Sequence, residues 1–184
     1  MSWIAKNEYL TQTEMENNAK LVWDYFGSRG WSLSAVAAML GNMQTESNIN
    51  PGIWESLVEY GGGYGLVQWT PYTKYSEWAG SNWQNNGNKE CARIFYELNN
   101  GLQWISTDLY PLSFAEFSKS GNTPEYLAEA FLYNYERPAV QPQPVRETQA
   151  RAWYNFLDGK TPAPIGGAFP VWMTKRILVR RKRR

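Results

Sequence analysis

Three glutamates and a run of glycines crowd the stretch from Met43 to Pro71, MQTESNINPGIWESLVEYGGGYGLVQWTP, and these are the residues of the chain whose types and spacing suit chemistry. Glu46 stands where an apolar helical pattern stops. Glu55 and Glu59 follow in sequence that reads as loop, ahead of Gly61-Gly62-Gly63 and Gly65. Carboxyls on either side of a glycine-rich turn suit acid/base work, and the competing reading is a solvated surface. The chain contains no histidine, so it has no Ser-His or Cys-His nucleophile pair and lacks the usual nitrogen ligand of zinc. Proton transfer falls to Asp and Glu, and neither a metal nor a cofactor is expected.

Composition narrows the partner. Aromatic residues make up 16% of the chain, with 10 Trp and 12 Tyr, more than a core requires, so some are expected to line a binding surface where sugar rings or nucleobases stack. The net charge of +1 hides an asymmetry: residues 160–184 carry eight Lys/Arg and no acid, which leaves ten basic against 17 acidic residues in 1–159. A domain this acidic repels phosphates. Sugar is therefore favoured over nucleobase, and no specific nucleic-acid partner is expected. The single Cys91 shares a helix face with Ile94, Phe95 and Leu98 and reads as a buried thiol. No run of 18 apolar residues is present, and the start MSWIAKNEYL has no basic segment leading into an apolar one, so neither a transmembrane span nor a secretion signal is expected.

Helices must position these carboxyls. Thr13 and Glu16 have the form of a capping box opening a helix over about 13–28, stopped by Gly27 and Gly30. Ser32 or Ser34 caps a second, whose Leu33, Val36, Ala37, Leu40 and Met43 step by three and four. Glu46 lies near its C-terminal end, about 60° round from Met43, at the edge of the apolar face and hence at the rim of a cleft. From Asn48 to Trp69 the helical period disappears, and a β-hairpin or irregular lobe is expected. Thr70-Pro71 reads as cap and first position of a short helix with Tyr75 and Trp78. Cys91, Ile94, Phe95, Leu98, Leu102 and Ile105 form a regular stripe assigned to the core. Thr123-Pro124 opens a helix ending at Arg137, before Pro138, and a last helix runs near Val145 to Leu157. The expected fold is mainly α (α+β), two lobes around a cleft with a small β-hairpin or loop lobe, in one domain over 1–159, followed by a Pro/Gly linker and basic tail over 160–184.

Glu46-Ser47, then Ile49-Asn50-Pro51, then Gly65-Leu66-Val67-Gln68 resemble the ES…NP…GLxQ pattern of the lysozyme-like superfamily, which includes goose-type lysozymes and soluble lytic transglycosylases. The late segment LAEAFLYNYERP (Leu127 to Pro138) is similar to the Tyr-Asn helix that faces the catalytic Glu in those proteins. AMLGNMQTES (Ala38 to Ser47), Gly65 to Pro71 and Tyr135 to Pro138 look closest to the phage tail lysozyme family, over about residues 7–157 and not over the basic tail.

The resemblance implies that Glu46 is the general acid protonating the glycosidic oxygen of bacterial peptidoglycan, a role requiring a carboxyl that is still protonated near neutral pH. It implies that Gln68 lines the sugar cleft and that Tyr135, rather than Tyr133, approaches Glu46 or substrate. A second carboxylate is needed in hydrolases as base or nucleophile; Glu59 is the first candidate and Glu55 the second, while superfamily transglycosylases manage with one Glu. Trp69 and Tyr64 are candidates for sugar contact among the aromatics around the motif, with packing as the competing reading. Glu136-Arg137-Pro138 reads as a helix end with an ion pair. The basic tail suits either a solubilising end or contact with an anionic surface.

The expected protein is thus a muramidase of a phage virion tail, cutting between N-acetylmuramic acid and N-acetylglucosamine at entry, with other tail proteins as partners. The alternatives are a lytic transglycosylase using the same Glu46, a non-catalytic wall-binding or structural tail protein, and an endolysin. Related chains often carry further modules after the lysozyme domain; none is read here, and no peptide-cutting activity is expected.

Overall fold

The N-terminal eleven residues form neither helix nor strand and are held by two buried asparagines. Asn18 accepts the Ile4 N–H (3.0 Å) and donates to the carbonyls of Ile4 (2.8 Å) and Ile49 (2.9 Å). Asn50 donates to the carbonyls of Lys6 and Glu8, both at 2.7 Å. These bonds use backbone groups that have no strand partner, and they bring Tyr9 to the mouth of the cleft described below. The computed structural model describes residues 1–164; the basic tail expected from Lys160 onward lies almost wholly outside the described residues.

Helix α1 (Gln12–Gly27) opens on Thr11, not Thr13. The Thr11 hydroxyl accepts from the Glu14 N–H while the Glu14 carboxylate accepts from the Thr11 N–H, a capping box two residues upstream of the expected one. Its buried face, Met15, Ala19, Val22 and Phe26, packs on α2 (Leu33–Ser47), which Ser32 caps through the Ala35 N–H. Every residue from Ala35 to Met43 is buried, so α2 is a central helix covered on all sides rather than an amphipathic surface one. Gly41 makes this possible: a Cβ there would lie 2.5 Å from the Arg146 carbonyl oxygen, so α2 and the last helix touch backbone to backbone. The helix ends at Asn48, which takes the left-handed conformation that Asn tolerates (φ 54°).

Residues 49–72 form an irregular lobe. Two isolated antiparallel bridges, Trp54 with Tyr64 and Tyr64 with Trp69, stand in place of a hairpin ladder. Polar anchors shape it instead. Ser47 Oγ donates to the Leu66 carbonyl (2.9 Å), and buried Glu90 accepts the Leu66 N–H (2.7 Å). Gly65 sits between them at φ +79°, where an added Cβ would meet the Glu90 carboxyl at 2.5 Å.

Helices α3 (Thr73–Ala79) and α4 (Gly87–Asn100) follow. The expected start at Thr70-Pro71 is displaced to Thr73, with Tyr72 at the uncapped N-terminal boundary. Helix α4 buries Cys91 and Ile94 as expected but ends at Gly101 in the left-handed region. Leu102 and Ile105, assigned to the same stripe, therefore leave the helix and are 40% and 61% exposed. A short helix that the periodicity did not suggest, α5 (Phe114–Lys119), carries its own capping box of Ser113 and Glu116.

Helix α6 (Pro124–Phe131), capped by Thr123, runs into a π-turn, Leu132–Glu136, before Arg137 closes it in the left-handed region. Helix α7 (Pro144–Leu157) then lies along α2 and α6. The described chain is thus mainly helical, with α2 at its centre and the irregular lobe beyond α2's C-terminus.

Candidate active site

A cleft of about 720 Å³ opens where α2 ends. Glu46 lines it from the last turn of α2, and Ile53, Trp54, Glu55, Val67, Gln68 and Trp69 line it from the irregular lobe. The opposite wall is the π-turn and its exit, Tyr135 to Ala139. The expected cleft with Glu46 at a junction of elements is present.

Glu46 is not alone there. Its carboxylate accepts a hydrogen bond from the Arg146 guanidinium at 2.5 Å, within an ion pair in which Arg146 is only 3% exposed and the Glu46 side chain 21%. Arg146 is fixed on its other edges by Asn42 Oδ1 (3.0 Å) and Gln143 Oε1 (2.7 Å). A guanidinium that is planar, buried and saturated with acceptors is a rigid clamp on one carboxylate. Arg146 was not picked out from the sequence, although it carries a signal. It heads the buried stripe Arg146, Ala150, Trp153, Leu157 of α7, a place where a charge needs a partner.

The other sequence-derived site residues divide. Gln68 lines the cleft, but its amide N–H groups donate to the carbonyls of Gly65 (3.0 Å) and Ile53 (3.3 Å), and its backbone is left-handed at φ 47°. Its side chain therefore braces the loop that forms the wall. Trp69 reaches the cleft lining, yet its ring is stacked on Tyr75 (centroids 4.8 Å apart) and its N–H donates to Glu97 (3.2 Å). A sugar has little ring face left to stack on. Tyr64 is not among the cleft-lining residues; it is buried between Trp54, Tyr75 and Trp83, with its hydroxyl accepting the Asn85 N–H. Tyr135 lines the cleft, but its hydroxyl turns away from it to Glu97 Oε2 at 2.5 Å. Tyr133, on the other face, packs against Tyr110.

The second-carboxylate candidates exchange places. Glu59 is exposed and not among the cleft-lining residues, whereas Glu55 lines the cleft, with its Oε2 accepting the Gly63 N–H at 2.8 Å. Left-handed backbone at Ser56, Leu57 and Tyr60 turns the intervening segment so that the two glutamates do not share a wall.

Two further carboxyls are buried here, one beneath the cleft and one in its wall. Glu97 joins three elements, accepting from Trp69, from Arg93 (2.8 Å) and from Tyr135, and burial holds its carboxyl above the usual range despite these donors. Glu136, at the end of the π-turn, is the other. Arg137, expected to pair with it, instead donates to the main-chain carbonyls of Gln103 and Asn134.

A helical domain with a carboxylate at the end of a buried central helix, facing a cleft walled by a glycine-rich loop, has the architecture of lysozyme-like proteins. A family model described as phage tail lysozyme matches residues 17–157, and the chain belongs to that family. It is also 48% identical, over 160 residues, to Morphogenesis protein 1 of Bacillus phage B103. The match covers 85% of this chain and 43% of that protein, so the chain spans less than half the length of this relative. This is a phage lysozyme-like protein, and none of its described helices is long and apolar enough to cross a membrane.

Proposed function

We propose that the chain cleaves the glycosidic bond between N-acetylmuramic acid and N-acetylglucosamine in bacterial peptidoglycan, with Glu46 delivering the proton to the leaving oxygen. The observation that carries this reading is Glu46 itself, held by Arg146 at the end of α2 and lining a cleft of about 720 Å³ in a chain of the phage tail lysozyme family. Protonation of the glycosidic oxygen lets the bond to the anomeric carbon break towards an oxocarbenium ion, which water then captures. Glu55, on the loop wall, is the carboxylate best situated to guide that water. Glu59 takes no part. Gln68 and Trp69 act by holding the wall in shape, and Tyr135 by fixing the opposite one.

The relatives support a place of action. The family is one of tail lysozymes, and the B103 relative is named for morphogenesis, which supports a virion protein that opens the wall at entry. Digestion of purified Bacillus walls, with mass spectrometry of the released fragments, tests the reading. Reducing muramic ends are expected. Anhydromuramic ends would make the protein a transglycosylase using the same acid, and intact walls would leave a binding or structural role.

A further inference from the structure

The Glu46–Arg146 pair poses a chemical difficulty for this function: the group that must give up a proton is clamped in the geometry of a carboxylate. The proton needs a second place to rest within reach of Glu46. Among the described residues three glutamates have a buried carboxyl oxygen with no hydrogen-bond partner: Glu90, Glu129 and Glu136. Glu90 is spent on the Leu66 N–H, and Glu129 faces Tyr110 and Glu147. Neither lines the cleft; Glu136 does.

Its position results from the π-turn. Leu132–Glu136 leaves the α-helical register directly after α6, which places Tyr135 and Glu136 on the same cleft wall while Arg137 reverses the chain. Such wide turns cost hydrogen-bond geometry and recur at functional sites. The residue as a whole is half-buried, but its Oε1 is sealed. The charged groups whose fields act on it are Glu46 of α2, Arg146 of α7, Glu97 of α4 and its neighbour Arg137. An ionised Glu136 would leave an unpaired buried oxygen beside two further acids; a protonated one can donate.

We propose that Glu136 is the resting seat of the catalytic proton, which it shares with Glu46, so that the two carboxyls act as one acid pair with Arg146 deciding which of them is charged. Burial, with the Glu46 charge adding to it, holds the Glu136 carboxyl well above its ordinary range. In the resting cleft Glu136 holds the proton, and Glu46 is engaged by the Arg146 guanidinium. The proton passes to Glu46 and from Glu46 to the glycosidic oxygen, as the bond from that oxygen to the anomeric carbon breaks and leaves its electron pair on the oxygen. Water adds to the anomeric carbon and returns one proton to the pair, so both carboxyls end as they began. Glu136 acts through Glu46 and is a positioning residue for the proton. The proposal rests on the glycosidase reading above.

Glu136→Gln, which keeps the shape and removes the proton, tests it through the pH dependence of wall cleavage. The variant is expected to lose activity about tenfold or more at pH 7 and to regain much of it in mild acid. The basic limb of its profile should move down by about one pH unit or more, because Glu46 beside Arg146 must then be protonated alone. A merely structural role would lower the rate at every pH and leave the limb in place, which overturns the proposal while Glu46→Gln inactivity keeps the glycosidase reading. Wild-type protein that cleaves no wall overturns both. Carbon-13 carboxyl titration of the wild-type protein gives a reading that needs no variant to fold. Linked two-step curves at Glu46 and Glu136 are expected; independent single steps overturn the pairing.

Discussion

Arg146→Met removes the clamp on Glu46 while keeping most of the side-chain length in the core. The guanidinium is almost wholly buried, and its loss leaves the Glu46 carboxylate without its 2.5 Å partner and takes donors from Asn42 and Gln143. Removing one member of a buried ion pair costs roughly 3–5 kcal/mol. Glu46 keeps some access to water through the cleft, with 21% of its side chain exposed, so the lower end, about 3 kcal/mol, is expected. At ~2–4 °C per kcal/mol for a domain of this size, the melting temperature should fall by roughly 6–12 °C. Urea unfolding of the single variants Arg146→Met and Glu46→Gln and of the double variant measures the stability loss and the coupling. The Arg146→Met cost should shrink by about 1 kcal/mol or more when Glu46 is already Gln. A loss under about 1 kcal/mol, or an equal loss in both backgrounds, refutes the ion pair as the organiser of the site.

Two further outcomes follow from the buried carboxyls. Burial raises the Glu90 carboxyl well above its ordinary value of 4.5, so the folded chain holds a proton there that the unfolded chain releases. That contribution to stability is full below pH 4.5 and is lost as the pH rises through the folded value. Glu90→Gln carries no such proton and should gain on the wild type in urea midpoint as pH is raised from about 4.5 to 8; a constant difference between the two contradicts this. Tyr135→Phe strips Glu97 of one donor and should cost about 1–2 kcal/mol in stability while leaving the cleavage rate within about tenfold. A hundredfold rate loss in a variant that still folds would move Tyr135 into the chemistry.

The parts of the site set by local sequence were legible, and those set by distant partners were not. The apolar stepping of α2 put Glu46 at the rim of a cleft, and the glycines from Gly61 to Gly65 marked the irregular lobe that walls it. Arg146 escaped because its partner lies 100 residues away in the chain. Its place on the buried stripe of α7 was the available clue. Glu136 escaped for another reason: the π-turn breaks the 3.6-residue period by which helix faces are read, and a glutamate before Arg137-Pro138 looks like an ordinary helix end. The choice between Glu55 and Glu59 depended on left-handed backbone at Ser56, Leu57 and Tyr60, residues whose types do not demand it. Trp69 and Tyr64 read as possible sugar platforms in the sequence because the pattern reveals aromatic character but not which ring Tyr75 or Trp83 already covers. Helix α5 was missed although Ser113 and Glu116 form the same kind of capping box that Thr11 and Glu14 do; the box is a weak signal without a long apolar stripe behind it.

The central claim is that Glu46 delivers the proton that breaks the glycan. Release of reducing ends from purified peptidoglycan by the wild-type protein and by Glu46→Gln, at equal folded concentration, tests it directly. The wild type is expected to release muramic-terminated fragments and the variant to be slower by about 10²–10⁴-fold, with its fold intact by circular dichroism. Fragments released at the same rate by both proteins would contradict the account.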